Sequence, residues 1–321
     1  MESKENKKKV EDNFESKIQK IIDTFTKAEK LGKENSKKYK DWIKDISDPN
    51  FKLIKNLLTY FCDELTTTAM RENIFKIIRK LYFLNEKVIA PQIFGNQEFV
   101  KAIVIHITAA DKSKISDNCF YLLTHLFNEK TFKPAINEKF IEALFNGLSI
   151  VREEDILNDV VKILIEINSN FKEGEENIFV KVHTNNDNAR VYDEILLRVL
   201  NNETDDAKQI TILKCLNDLM DNQTKSIFYE SDLEIFIDII FSKFQMTSNV
   251  ELMKKLLTSL DKVTQYNEYY RATYKMEDIT ELLEDLQSAD NQPEEIKELS
   301  KKIVINLTDK QGKKKEGEVQ A

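Results

Sequence analysis

Catalysis needs titratable or nucleophilic side chains at set spacings, and this 321-residue chain supplies few of them. His106, His125 and His183 are its only histidines, and Cys62, Cys119 and Cys215 its only cysteines. None of the histidines has a cysteine or carboxylate at metal-ligand spacing. His106 and His125 fall within apolar helical patterns, where a packed imidazole is expected rather than a ligand. No nucleophile elbow, zinc motif or phosphate-cradling loop is present. The adjacent acids Glu153-Glu154-Asp155 and Glu175-Glu176 open helices, where the macrodipole favours negative charge. The cysteines are odd in number, far apart and on apolar faces, as expected of reduced core thiols in an intracellular protein. The chain therefore reads as a protein that is not an enzyme, with no catalytic residue, metal site or cofactor.

Side chains suited to binding are easier to find. Tyr266, Tyr269, Tyr270 and Tyr274 place four tyrosines in nine residues. Tyrosine is enriched at interface centres, so this cluster is either a partner-facing hot spot or a cap on the last hydrophobic layer. Asn222 and Gln223 are either exposed contacts or groups that satisfy helix ends where two helices cross. With Tyr229, these seven residues form the expected partner-binding set.

The elements that must position them are helical. Hydrophobic residues make up 41% of the chain and charged residues 32%, so it can bury a sizeable core and stay soluble. Six glycines and four prolines are too few for a sheet protein of this length. No apolar run approaches the ~18 residues of a membrane span. The start, MESKENKKKVEDN, lacks the apolar core of a signal peptide, which leaves the cytoplasm as the expected location. The net charge is -8, yet the first forty residues hold twelve lysines against eight acids. The body is therefore strongly acidic, and a nucleic-acid binder should instead show a basic footprint. The lysine-rich start and Lys313-Lys314-Lys315 are either contacts for an acidic partner or membrane, or solvated helix faces and floppy ends.

Residues 1–9 are expected to be disordered, 10–308 to form a single all-α domain, and 309–321 to form a disordered tail. A first helix carries Val10, Phe14, Ile18, Ile21 and Phe25 and ends at Gly32. A second stops before Asp48-Pro49. A pair follows on either side of Thr66–Thr68, and then a longer connection from Asn85 to Asn96. Further helices recur to Leu307, in pairs spaced by roughly forty residues, the period of armadillo or HEAT-like arrays. Such pairs cannot bury their own faces and must stack, so the expected fold is an armadillo/HEAT-like solenoid with a right-handed superhelical course. The centre of the stack is Ile212–Phe244, in which Leu233, Phe236, Ile237, Ile240 and Phe244 share one helical face. Ile235, Ile239 and Phe241 add a second face that neighbours should cover. Ser231 and Glu234 form the expected capping box at its start.

The central run also resembles a known family. Asn222-Gln223-x-x-x-Ile227-Phe228-Tyr229-x-x-Asp232, followed by Ile237-Asp238-Ile239, is similar to the signature of the WISH/DIP family leucine-rich, armadillo-like domain. Asp159–Phe171 and Tyr192–Asp205 upstream, and Tyr266–Leu286 downstream, agree in order and spacing, so the resemblance covers about residues 155–287. It implies a protein that binds and activates the Arp2/3 complex without a preformed filament and so seeds linear actin filaments. It further implies contact with actin only indirectly, and a location at actin-rich cortical structures in the cytoplasm. Longer members carry an SH3 domain and a proline-rich stretch. The first hundred residues here show no period-two strands and only two prolines, so the chain is expected to be the solenoid-only form. The alternative is a generic armadillo-type scaffold, formin-regulatory-like or cargo-adapting, with no nucleation-promoting activity. An importin-type peptide groove needs a ladder of tryptophans that Trp42 alone cannot supply.

Overall fold

A computed structural model describes residues 2–32, 36–48, 52–109, 115–128, 136–172, 175–221, 228–266 and 274–318, with side chains described between 16 and 308. Among the described residues there are fifteen helices and no strand, so the protein is an all-α, helical-repeat protein. Its contacts divide it into two compact units, Met1–Ile163 and Leu164–Ala321.

The first unit holds α1 (Glu2–Lys30), α2 (Lys37–Ser47), α3 (Leu53–Cys62), α4 (Thr68–Phe94), α5 (Gln97–Ala109), α6 (Asp117–Asn128), α7 (Glu138–Ile150) and the start of α8 (Glu154–Ser169). Short polar side chains mark where several of these begin. The Ser36, Thr67 and Asn137 side chains accept from the backbone N–H groups of Tyr39, Met70 and Phe140, which satisfies donors that a helix start otherwise leaves orphaned. Gly32 ends α1 with a φ of 58°, the left-handed turn that glycine adopts without steric cost. Within the unit α3 packs on α5, α5 on α7, and α4 on α6. Each helix thus rests on the one two places ahead, the pattern that stacked helix pairs must adopt. The core between α3, α4 and α5 is aromatic. Phe61 lies 4.7 Å from Phe75 and 5.0 Å from Phe99 between ring centroids, and burying each such ring is worth about 1.5–3 kcal/mol.

The second unit holds the end of α8, then α9 (Ile178–Thr184), α10 (Ala189–Asn202), α11 (Asp206–Asp221), α12 (Glu230–Met246), α13 (Val250–Gln265), α14 (Met276–Ser288) and α15 (Glu294–Glu318). The stacking rule repeats, with α10 on α12, α11 on α13, and α13 on α15. A polar ladder runs along the α8, α11, α13 and α15 layer. Lys214 Nζ donates to the Asn168 carbonyl at 3.3 Å, Lys262 Nζ to the Asn217 carbonyl at 3.0 Å, and Asn306 Nδ2 to Asp261 at 3.0 Å. The partners are 46, 45 and 45 residues apart. Side chains therefore fix the repeat in this unit a little longer than the rhythm of apolar residues predicts.

Several expectations change. Asn85–Asn96 is not a connection: α4 runs through it to Phe94, broken by the non-helical backbone of Asn85 (φ -152°, ψ 54°). Ile89 and Ile93 are fully buried there, and that burial outweighs the turn signal of Pro91 and Gly95. The helix α12 begins at Glu230, and Asp232, not Glu234, reaches back to cap it, accepting from the Tyr229 N–H at 3.1 Å. The expected Ser231–Glu234 box is thus displaced by two residues. At the ends, α1 is described from Glu2 and α15 to Glu318.

The histidines in apolar helices pack as expected. His106 is buried between Phe61 and Phe75, and its Nε2 lies 2.8 Å from a Glu72 carboxylate oxygen. His125 stacks on Tyr121 at 4.2 Å and bonds through Nδ1 to the Tyr121 carbonyl. All three cysteines are free, Cys119 and Cys215 buried and Cys62 half-buried.

Candidate protein-interaction surface

The outward faces of α10 and α12 form the surface of interest. The two helices stack side by side, and their buried Leu197 and Ile239 make the floor of a shallow groove of about 430 Å³. Glu194, Arg198 and Asn201 line one wall, and Asp232, Ile235 and Asp238 the other. Ile235 is 52% exposed. The second apolar face expected to be covered on α12 is therefore covered at Ile239 and open at Ile235.

Tyr229 stands at one end of this groove, 55% exposed. The Arg190 guanidinium lies 4.1 Å from its ring centroid and is itself held by Glu194 at 3.1 Å. The stack and the ion pair fix two long side chains in one geometry before any partner arrives, which lowers the entropy cost of binding. At the other end Asp238 is the acceptor for two neighbours. The Tyr274 hydroxyl donates to both its oxygens at 3.2 Å, and Lys275 Nζ to Oδ1 at 2.7 Å. Desolvation and then the Asp238 charge raise the Tyr274 phenol above its ordinary pKa. The hydrogen bond to Asp238 raises that of Lys275. Lys275 also holds a left-handed backbone, φ 52°, just before α14. That conformation costs a residue with a side chain about 1 kcal/mol or more.

The expected partner-binding residues divide accordingly. Tyr229 and Tyr274 come together on this one surface, on either side of α12. Tyr266 is buried, 6% exposed, with its ring 6.5 Å from that of the fully buried Phe228. It lies in the hydrophobic layer and not on the surface. Asn222, Gln223, Tyr269 and Tyr270 lie outside the described residues. Arg190, Glu194, Ile235, Asp238 and Lys275 were not anticipated. Ile235 carried the one legible signal, an apolar residue on the wrong side of a helix already supplied with a full apolar face.

Directly under α10 lies a buried polar cluster. His183 Nε2 and Asp193 Oδ1 are 2.8 Å apart, and the Tyr192 hydroxyl is 3.1 Å from Cys215 Sγ. Burial pushes the Asp193 carboxyl up to about 6 against the opposing pull of His183, and the Cys215 thiol up to about 12. All four side chains are shielded from solvent, and a thiol held protonated is no nucleophile. The cluster ties α10 to α9 and α11. Among the described residues no three or more His, Cys, Asp or Glu side chains gather at metal-binding range, and no helix is long and apolar enough to cross a membrane.

A stacked helical-repeat unit with an open, charge-rimmed groove has the form of a helical protein-interaction domain. Residues 153–279 match the family model described as SPIN90/Ldb17, leucine-rich domain. It is the same family, under another name, that the WISH/DIP signature indicates. The chain is also similar to the protein LDB17 of Eremothecium gossypii, 26% identical over 186 residues, covering 54% of this chain and 41% of the relative. It therefore spans less than half the length of that relative. Both α10 and α12, and with them the groove, lie inside the matched residues.

Proposed function

We propose that this protein binds the Arp2/3 complex through its leucine-rich domain and activates it without a preformed filament, seeding linear actin filaments. The match of residues 153–279 to the SPIN90/Ldb17 leucine-rich domain is the observation that carries the reading. The α10–α12 groove, with Tyr229, Ile235 and the Arg190 and Asp238 ion pairs, is the contact surface we assign to it. Physically the protein acts as an allosteric ligand. It binds the filament-like arrangement of the two actin-related subunits more tightly than the splayed one, and that difference in affinity drives the shift. No step requires bond making in this chain. It would act in the cytoplasm at cortical actin, touching actin only through the complex.

Bulk actin assembly followed by fluorescence tests the proposal, using purified Arp2/3 complex, this protein and no preformed filaments. The expected result is a shortened lag that depends on the complex, with unbranched filaments under the microscope. An unchanged lag across micromolar protein with a matched-species complex would leave a scaffold without nucleation-promoting activity.

A further inference from the structure

A second groove, in the first unit and outside the matched segment, has a different chemistry. It runs between α2 and α4, holds about 480 Å³, and is lined by Lys40, Lys44, Lys80, Phe83 and Leu84 over the buried Tyr39 and Ile43, with no carboxylate in its lining. Such a lining is unusual in a chain of net charge -8. Phe83 is 75% exposed and Leu84 37%. Both follow Lys80 on one face of α4, and Lys40 and Lys44 stand one helical turn apart on α2. The groove continues past Lys80 and Phe83 into a second hollow that mixes Glu29, Glu153, Asp155 and Asp159 with Lys76 and Arg79. Charge therefore runs from basic to mixed along its length. Lys80 already pairs with Glu29 at 2.5 Å, so Lys40 and Lys44 are the charges to be met by a partner.

We infer that this groove docks an acidic amphipathic helix of a partner protein. Carboxylates one turn apart would face Lys40 and Lys44, and an apolar side chain would rest on Phe83 and Leu84. Lysines at i, i+4 match carboxylates at the same spacing on an opposing helix. Exposed aromatic and apolar groups beside them supply the buried area that charge alone does not. The concave shape and the carboxylates of the adjoining hollow disfavour an anionic membrane, which needs an open, uniformly basic face.

The test uses the full chain and fluorescence anisotropy. The probe is a fluorescein-labelled helical peptide of about twenty residues, with Asp and Glu at i, i+4 flanking a Leu/Phe stripe. The controls are the same peptide with every acid replaced by Lys, and the same peptide with the stripe replaced by Ser. Saturable micromolar binding of the acidic peptide alone is expected, weakening about tenfold from about 50 to about 300 mM salt as surface charges are screened. Lys40→Glu with Lys44→Glu, and separately Phe83→Ser, should each weaken binding about tenfold or more, a hot-spot-sized loss. These side chains are exposed, so urea midpoints should stay unchanged and separate lost binding from lost folding. No saturable binding below about 100 μM, weaker than any useful peptide affinity, would overturn the inference, as would equal binding by the charge-reversed variant. So would two rival results: phosphatidylserine vesicles, but not the peptide, released by the substitutions; or self-association in sedimentation abolished by them.

Discussion

Asp193 shows how far a single side chain can be pushed from its ordinary behaviour while doing no chemistry. Its carboxyl sits up at about 6, chiefly through burial, against an ordinary value of 3.8. Between those values the folded protein holds a proton that the unfolded chain has released. Stability from this group is therefore gained as pH falls through 6 and is absent above it. Urea unfolding at pH 7 and pH 5 should show wild type gaining about 1 kcal/mol relative to Asp193→Asn, which can still accept the His183 N–H. An identical pH response in the variant would mean that the carboxyl titrates normally. Tyr229 is the opposite case, an exposed ring already stacked under Arg190. Tyr229→Ala should leave stability within about 0.5 kcal/mol and weaken binding to the Arp2/3 complex by about 2 kcal/mol, the scale of an interface anchor. Affinity titration beside a urea midpoint reads both.

Between helices, polar side chains fix the register that apolar packing leaves loose. Lys243 of α12 is buried, and its ammonium donates to the carbonyls of Asn201 at 3.1 Å and Glu203, at the end of α10. It does for the α10 end what a terminal carbonyl otherwise asks of water. Lys243→Met keeps the apolar stem and removes the donor. It should cost about 1–3 kcal/mol by chemical denaturation, the price of orphaned acceptors. The α6–α7 contact depends instead on a missing side chain. A Cβ on Gly147 would come within 2.5 Å of the fully buried Phe120 ring. Gly147→Val should therefore destabilise by about 1–3 kcal/mol despite valine's better helix propensity. A neutral result would show that the Phe120 ring can move aside.

For the molecule as a whole, activation of a partner by binding alone sets a quantitative limit. The shift cannot exceed the difference in affinity for the partner's two states. Combining Tyr229→Ala with Ile235→Asp on the same groove should therefore abolish the shortened lag in actin assembly while helicity by circular dichroism is retained. Full activity in this double variant would move the contact surface away from α10 and α12. The α2–α4 groove belongs to the other unit, so its substitutions should leave that lag unchanged.

Residue types and their order determined much of this protein. The poverty of glycine and proline dictated an all-α chain, and the apolar spacing of Leu233, Phe236, Ile237 and Ile240 placed α12 to within two residues. The run through Ile227-Phe228-Tyr229 and Ile237-Asp238-Ile239 carried the family. Period alone could not say which of two adjacent aromatics turns inward. Phe228 is buried and Tyr229 exposed, because both lie before α12 begins at Glu230 and Tyr229 is its extended cap residue. Nor could it separate Tyr266, packed on Phe228, from Tyr274, bonded to Asp238. The ladder linking Lys214 to Asn168 and Lys262 to Asn217, and the pairing of His183 with Asp193, join residues 46, 45 and 10 positions apart. Helical periodicity reports which face of its own helix a residue occupies, not which neighbour meets that face. Only the stacking of one helix on another decides that, and with it which charges are buried, which pair, and which remain open to a partner.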